Sequence, residues 1–143
     1  MNADNVNNII KVLNSGKDFY QHAIDKVDNS GLVMVFRSMV DARNNALIKL
    51  QPFAQMTDGE REAGDSWVVK AREAYADLRA ALSKDPDHTY IEQLEEVEDK
   101  TLVELKTALN KTSEPLYAAV LKEVHSDIKL CHDRMLNLQK ITA

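Results

Sequence analysis

The chain is short of the residues that break regular structure: four Gly, three Pro and one Cys in 143 residues. So few breakers cannot serve the many turns of an all-β or alternating α/β chain, and long helices are the economical alternative. A single cysteine, Cys131, excludes an internal disulfide; it falls within an apolar helical stripe and reads as a small buried hydrophobe in a reducing compartment. Long uncharged runs are also missing. No stretch approaches the roughly 18 apolar residues of a membrane span, and the opening MNADNVNNII has no basic segment followed by an apolar one, so the cytoplasm is the expected location. Positive charge is the minority: 18 basic against 23 acidic residues give a net charge of −5, and the first fifty residues carry six basic and five acidic groups against 12 and 18 in the remainder. That balance argues against a nucleic-acid partner.

What remains is a chain that is 44% apolar and 29% charged, long enough for one domain spanning residues 1–143 that buries roughly two-thirds of its unfolded surface. Val6, Ile9, Ile10, Leu13, Tyr20, Ile24 and Val27 recur at steps of three, four or seven, which predicts a first helix from about Ala3 to Asp28. Asp28-Asn29-Ser30-Gly31 has the residues of a stop and restart, with Ser30 as the expected cap of the next helix. Leu32, Val35, Phe36, Met39, Val40, Ala46, Leu47 and Leu50 mark the second helix, in which Pro52 predicts a kink near Gln51 and an end by Thr57-Asp58-Gly59. After a polar stretch, Asp65 or Ser66 can cap a shorter amphipathic segment bearing Trp67, Val68, Ala71, Tyr75, Leu78 and Leu82.

Asp85-Pro86-Asp87 has a capping Asp with Pro in the first turn, and Ile91, Leu94, Val97, Leu102, Leu105 and Leu109 follow to about Asn110. Thr112-Ser113-Glu114-Pro115 repeats that logic before Leu116, Val120, Leu121, Val124, Ile128, Cys131, Met135 and Leu138. Short turns make sequential helices antiparallel neighbours. The predicted architecture is an all-α, antiparallel four-helix bundle whose second and third long helices are joined by a long crossover carrying the short helix.

Function is sought where an apolar stripe is broken by a group that resists burial, because a buried charge costs several kcal/mol unless it is paired or bound. Arg43 stays in phase with Leu32, Phe36, Met39, Ala46 and Leu50. Glu98 falls inward on the next long helix with Glu95 beside it, and His125 and His132 lie seven residues apart on one edge of the last helix. Asp18 and His22 form an i, i+4 pair on the first. A di-iron bundle needs two Glu and two Glu-x-x-His pairs. Here the residues three before His132 and His125 are Lys129 and Lys122, and Arg43-Asn44-Asn45-Ala46 stands where a first pair would be sought. Two outcomes stay open: Arg43 pairs with Glu98, and with Asp99 or Glu95, inside the bundle, or these long side chains escape to solvent at the stripe's edge. The acidic run Glu92 to Asp99 lacks the spacing of a calcium loop, Cys131 has no in-phase base, and no glycine-rich phosphate loop exists, so no catalytic residue is assigned. Gly16 within the first helix costs about 1 kcal/mol relative to Ala, which close approach of another element or plain tolerance would explain.

Asn14 to Tyr20, Phe36 with Arg43, Trp67 with Arg72, Leu78 and Arg79, Glu95-Glu96-Val97-Glu98-Asp99 and His132-Asp133 together resemble, in order and spacing, a bacterial family of ferritin-like bundles of unknown function, similar in pattern to the YciE and YciF stress-associated group. The resemblance covers nearly the whole chain and implies a ferritin-like fold, a link to stress, and a superfamily in which many members bind two metal ions; it transfers fold better than chemistry. The leading expectation is a non-enzymatic protein without a cofactor that acts by association with itself, as a homo-oligomer, or with a protein partner. The alternative is a divergent di-metal bundle, holding iron or another divalent metal through Asp18, Glu95, Glu98 and His132. A third reading is an apolar ligand held between helices, whose sign would be an unfilled cavity.

Overall fold

In the computed structural model, which describes residues 3–54 and 66–142, those residues form five α-helices and no strand. They are α1 (Ala3–Lys26), α2 (Ser30–Ala54), α3 (Ser66–Ala81), α4 (Pro86–Lys111) and α5 (Pro115–Thr142). The first turn differs from expectation. Ser30 is already helical, and the side chain of Asn29 takes the cap, accepting from the backbone N–H of Gly31 at 2.8 Å and of Leu32 at 3.1 Å. α2 runs on past Pro52 to Ala54; a proline so near the end removes few intrahelical bonds. Its predicted end at residues 57–59 and the candidate cap Asp65 lie outside the described residues. Asp85 caps α4 by accepting from the N–H of His88 at 3.2 Å, with Pro86 in the first turn where its missing N–H costs nothing.

α1 packs on α2 and α4, and α5 packs on α2 and α4, so four long helices close a ring, with α3 laid over the α1–α4 pair. At 1.5 Å per residue each long helix spans about 35 to 42 Å. Two apolar clusters fix the directions. One joins the C-terminal half of α1 (Phe19, Tyr20, Ala23) and Val27 just after it, the N-terminal halves of α2 and α4, and Cys131 and Met135 of α5. The other joins Val6 to Leu13, Ala46 and Leu50, Leu105 and Ala108, and Tyr117 to Ile128. Every helix is thus antiparallel to both ring neighbours, while α2 and α4 point the same way across the diagonal. The connection between them must climb the length of the ring.

α3 does the climbing with a face the hydrophobic spacing did not pick. Val69, Ala76 and Ala80 are buried, whereas Ala71, Tyr75, Leu78 and Leu82, read as its apolar stripe, are exposed. Leu116 of α5 is likewise exposed, and Tyr117 beside it is buried. The side chains of Trp67 and Val68, also read as part of that stripe, lie outside the described ones. No helix among the described residues is long and apolar enough to cross a membrane.

Candidate functional site

Between the two apolar clusters lies a polar layer. Arg43 reaches it because positions 32, 36, 39, 43, 46 and 50 share the inner face of α2, and Glu98 and Thr101 because α4 buries Leu94, Glu98, Thr101 and Leu105 in the same rhythm. Arg43 and Glu98 have no exposed surface at all. The Arg43 guanidinium crosses the diagonal and donates from Nη2 to Glu98 Oε1 and, at 3.1 Å, to Thr101 Oγ1; Nη1 points at the Leu13 carbonyl of α1 at 3.4 Å. Thr101 in turn donates to the Val97 carbonyl at 2.8 Å. The guanidinium carbon sits 5.7 Å from the centre of the Tyr20 ring, within cation–π range.

Gly16 is what lets α1 accept this group. A Cβ there would collide with Cζ, Nη1 and Nη2 of Arg43, so the missing side chain leaves the space that the guanidinium fills. Burial alone would lower the Arg43 pKa, yet the charge and hydrogen bond of Glu98, with Tyr20 and Cys131 adding to them, together outweigh it and the group is held still more firmly protonated. Burial, with Glu98 adding to it, pushes the Tyr20 hydroxyl well above its ordinary value. The Cys131 thiol is pushed up to about 12 by burial first and by Glu98 second, so it is no nucleophile at neutral pH. Tyr20 Oη, Arg43 Nε and Glu98 Oε2 have no hydrogen-bond partner among the described residues.

The other sequence candidates lie elsewhere. Glu95 and Asp99 turn to the α4–α5 edge, where His132 Nε2 stands 3.2 Å from Glu95 and 3.7 Å from Asp99 and Nδ1 stands 3.2 Å from Asp133. Asp18 joins none of Glu95, Glu98 or His132, and His125 is half-buried on the same edge of α5 as His132. His22 pairs not with Asp18 but with α3, 2.8 Å from Asp77 and 3.7 Å from Glu73. Tyr90 of α4 donates to the same Asp77 oxygen at 2.5 Å, so one carboxylate ties the crossover helix to both helices beneath it.

A di-metal centre does not fit the middle of this ring. Its position is taken by a guanidinium, which repels divalent cations and satisfies the carboxylate a metal would use, and among the described residues the only acid buried there is Glu98. No group of three His, Cys, Asp or Glu that could hold a metal ion occurs among the described residues.

Residues 1–111 match the family described as a domain of unknown function, DUF2383. The chain belongs to that family. The DUF2383 match ends on the last residue of α4 and contains Gly16, Tyr20, Arg43, Glu98 and Thr101, while Cys131 and His132 fall beyond it. No curated protein and no solved structure matches the chain. Gly16, Tyr20 and Thr101 escaped the sequence analysis as members of this site, although a signal existed. Gly16 lies three residues after Leu13 and four before Tyr20 on one buried stripe, and Thr101 is three residues beyond Glu98 in the phase that placed Glu98 inward.

Proposed function

We propose that this DUF2383 protein is a ferritin-like bundle in which an arginine–glutamate pair stands in for the metal centre, and that it acts by association with itself or a protein partner rather than by catalysis. The up-down-down-up run of its long helices, with a crossover climbing the bundle, is the connectivity expected of ferritin-like folds. The central polar layer holds no acid–base pair open to solvent and no activated nucleophile, which removes the ordinary means of catalysis from the place where relatives would keep them.

The observation that carries the reading is apolar surface on faces the fold does not use. Ile48 of α2 and Leu130 of α5 are 70% and 71% exposed beside one groove whose apolar lining also includes Met39, Ala42 and Cys131, while Lys49 with Asp127 and Arg134 with Ser38 cross it as polar ties. Tyr75, Leu78 and Leu82 add an apolar stripe on the outside of α3. Single exposed apolar residues are ordinary, but helical faces carrying several mark interaction sites. Sedimentation velocity over a wide concentration range, followed by the same measurement on Ile48→Glu with Leu130→Glu, tests it. A concentration-dependent oligomer weakened by the substitutions is expected; a strict monomer that binds no protein partner defeats the reading.

The alternative remains a divergent metal-handling protein. The approach of Glu95, Asp99 and His132 at the α4–α5 edge is what favours it. Metal analysis of protein purified without chelator separates the two: a stoichiometric divalent metal that is lost in His132→Ala would replace the association reading.

A further inference from the structure

Under α3, between α1 and α4, lies a cavity of about 170 Å³. Its walls are mostly apolar: Phe19 of α1, Val69 of α3 and Val97 of α4 are all buried and Val12 is half-buried, with Ser15 of α1 the polar residue among them. Its floor is Gly16 and Thr101, the two residues against which the Arg43 guanidinium rests. Its rim is of one sign. In a chain with net charge −5, the charged residues lining this cavity among the described residues are Lys11, Arg72 and Lys100, all basic.

Two of those cations are held loosely. Among the described residues Lys100 is exposed and makes no ion pair, and Arg72 makes one loose ion pair, with Glu96 at 3.9 Å, too long for a hydrogen bond. The paired charges of Arg43 and Glu98 behind the floor cancel, so the field at the mouth is set by the rim. Such a site is an apolar slot with cations at its open end, which is the complement of a molecule with an apolar body and one negative end. Volume limits the body. An apolar cavity of about 150 Å³ holds benzene, so this one takes a single ring or a short branched chain beneath its head group.

We propose that the cavity binds a small organic monoanion, a carboxylate with an apolar body of about one ring, its carboxylate on Arg72 and Lys100 and its body against Phe19, Val69 and Val97. This goes beyond the association reading and is independent of it, since the α2–α5 groove lies on the other side of the ring.

The test is a titration of the ¹⁵N-labelled full chain with benzoate, followed by two-dimensional NMR, with acetate supplying the charge without the body and benzyl alcohol the body without the charge. Saturable shifts confined to the backbone of residues 12–19, 69–76 and 97–101 are expected for benzoate, with both controls binding roughly tenfold more weakly. Arg72→Gln with Lys100→Gln, on the surface, should weaken benzoate by about the same factor, as should raised salt. Val69→Phe should abolish binding by filling the slot while circular dichroism stays helical. Shifts scattered over the surface, affinity equal to that of acetate, or indifference to the two rim substitutions each overturn the proposal. None of those results bears on oligomeric state, which the sedimentation experiment reads separately.

Discussion

At the scale of single residues the protein turns on the Arg43–Glu98 pair and on the glycine opposite it. An ion removed from water costs several kcal/mol, and a buried pair is stable only while both members are present. Replacing one partner should therefore be worse than replacing both. Arg43→Met is expected to lose about 3 to 5 kcal/mol in urea denaturation, and Arg43→Met with Glu98→Leu substantially less, because the double change strands no charge. Equal losses in the two would mean that the pair's geometry, not its charge, is what the fold needs. Gly16 supplies a sharper test with a change of sign. Gly→Ala inside a helix ordinarily gains about 1 kcal/mol, but here the new methyl meets a guanidinium tied to Glu98, Thr101 and the Leu13 carbonyl. Gly16→Ala should destabilise the native chain and stabilise the Arg43→Met chain; stabilisation in both would show that the guanidinium moves aside freely. The spacing of α2 and α4 put Arg43 and Glu98 on inner faces but left open whether they meet inside or escape at the stripe's edge. What decides it is the room beside Gly16, which belongs to a third helix and leaves no mark on either stripe.

At the scale of elements, four helices were legible because each carries a long three-four repeat bounded by Asn, Asp or Pro. α3 was legible as a helix and misread as to its face. Among its described side chains Val69, Ala76 and Ala80 are the buried ones, so the inner stripe is small, and the larger Tyr75, Leu78 and Leu82 drew the apolar reading outward. So little buried bulk among the described side chains makes this part of α3 depend on polar ties, above all on Asp77. Burial alone would raise the Asp77 carboxyl, but the hydrogen bonds from Tyr90 and His22 outweigh it and hold the group below the usual carboxylate range. A folded pKa below the unfolded one, about 3.9, means that the tie is at full strength above that value and is lost as pH falls through the lower folded value. Hydrogen exchange should accordingly show α3 amides losing protection at acid pH before those of α1, α2, α4 and α5, and Asp77→Asn should reproduce that loosening at pH 7. If α3 and α4 lose protection together in acid, the crossover helix is not separately tethered.

At the scale of the whole molecule, α5 stands apart in one respect: the family match stops at Lys111, yet α5 supplies Tyr117, Leu121, Val124 and Ile128 to one apolar cluster and Cys131 and Met135 to the other. The ring closes only through it. Closing the ring buries three phenols and one thiol from α1, α4 and α5, and these four shift in one direction. Burial pushes Tyr117 and Cys131 up to about 12, and raises Tyr20, with Glu98 adding to it, and Tyr90, with Asp77 adding to it. Each of these groups is neutral when folded and ionises more easily when unfolded. Its contribution is therefore complete below the unfolded pKa, about 8.5 for the thiol and about 10 for the phenols, and is lost as pH rises toward the folded value. The urea midpoint should hold level from pH 7 to about 8.5 and then fall with a slope that steepens past about pH 10, as one thiol and then three phenols join the unfolded side of the balance. Tyr117→Phe should flatten the upper part of that curve, since it removes one of the protons being released. Ultraviolet difference absorbance gives the decisive reading: tyrosinate from Tyr20, Tyr90 and Tyr117 should appear only together with loss of helical circular dichroism. Phenolate formed at Tyr20, read as the signal lost in Tyr20→Phe, while the helices persist would mean that the interior admits water and charge at the level where the two clusters meet, and the dry polar layer around Arg43 would have to be abandoned.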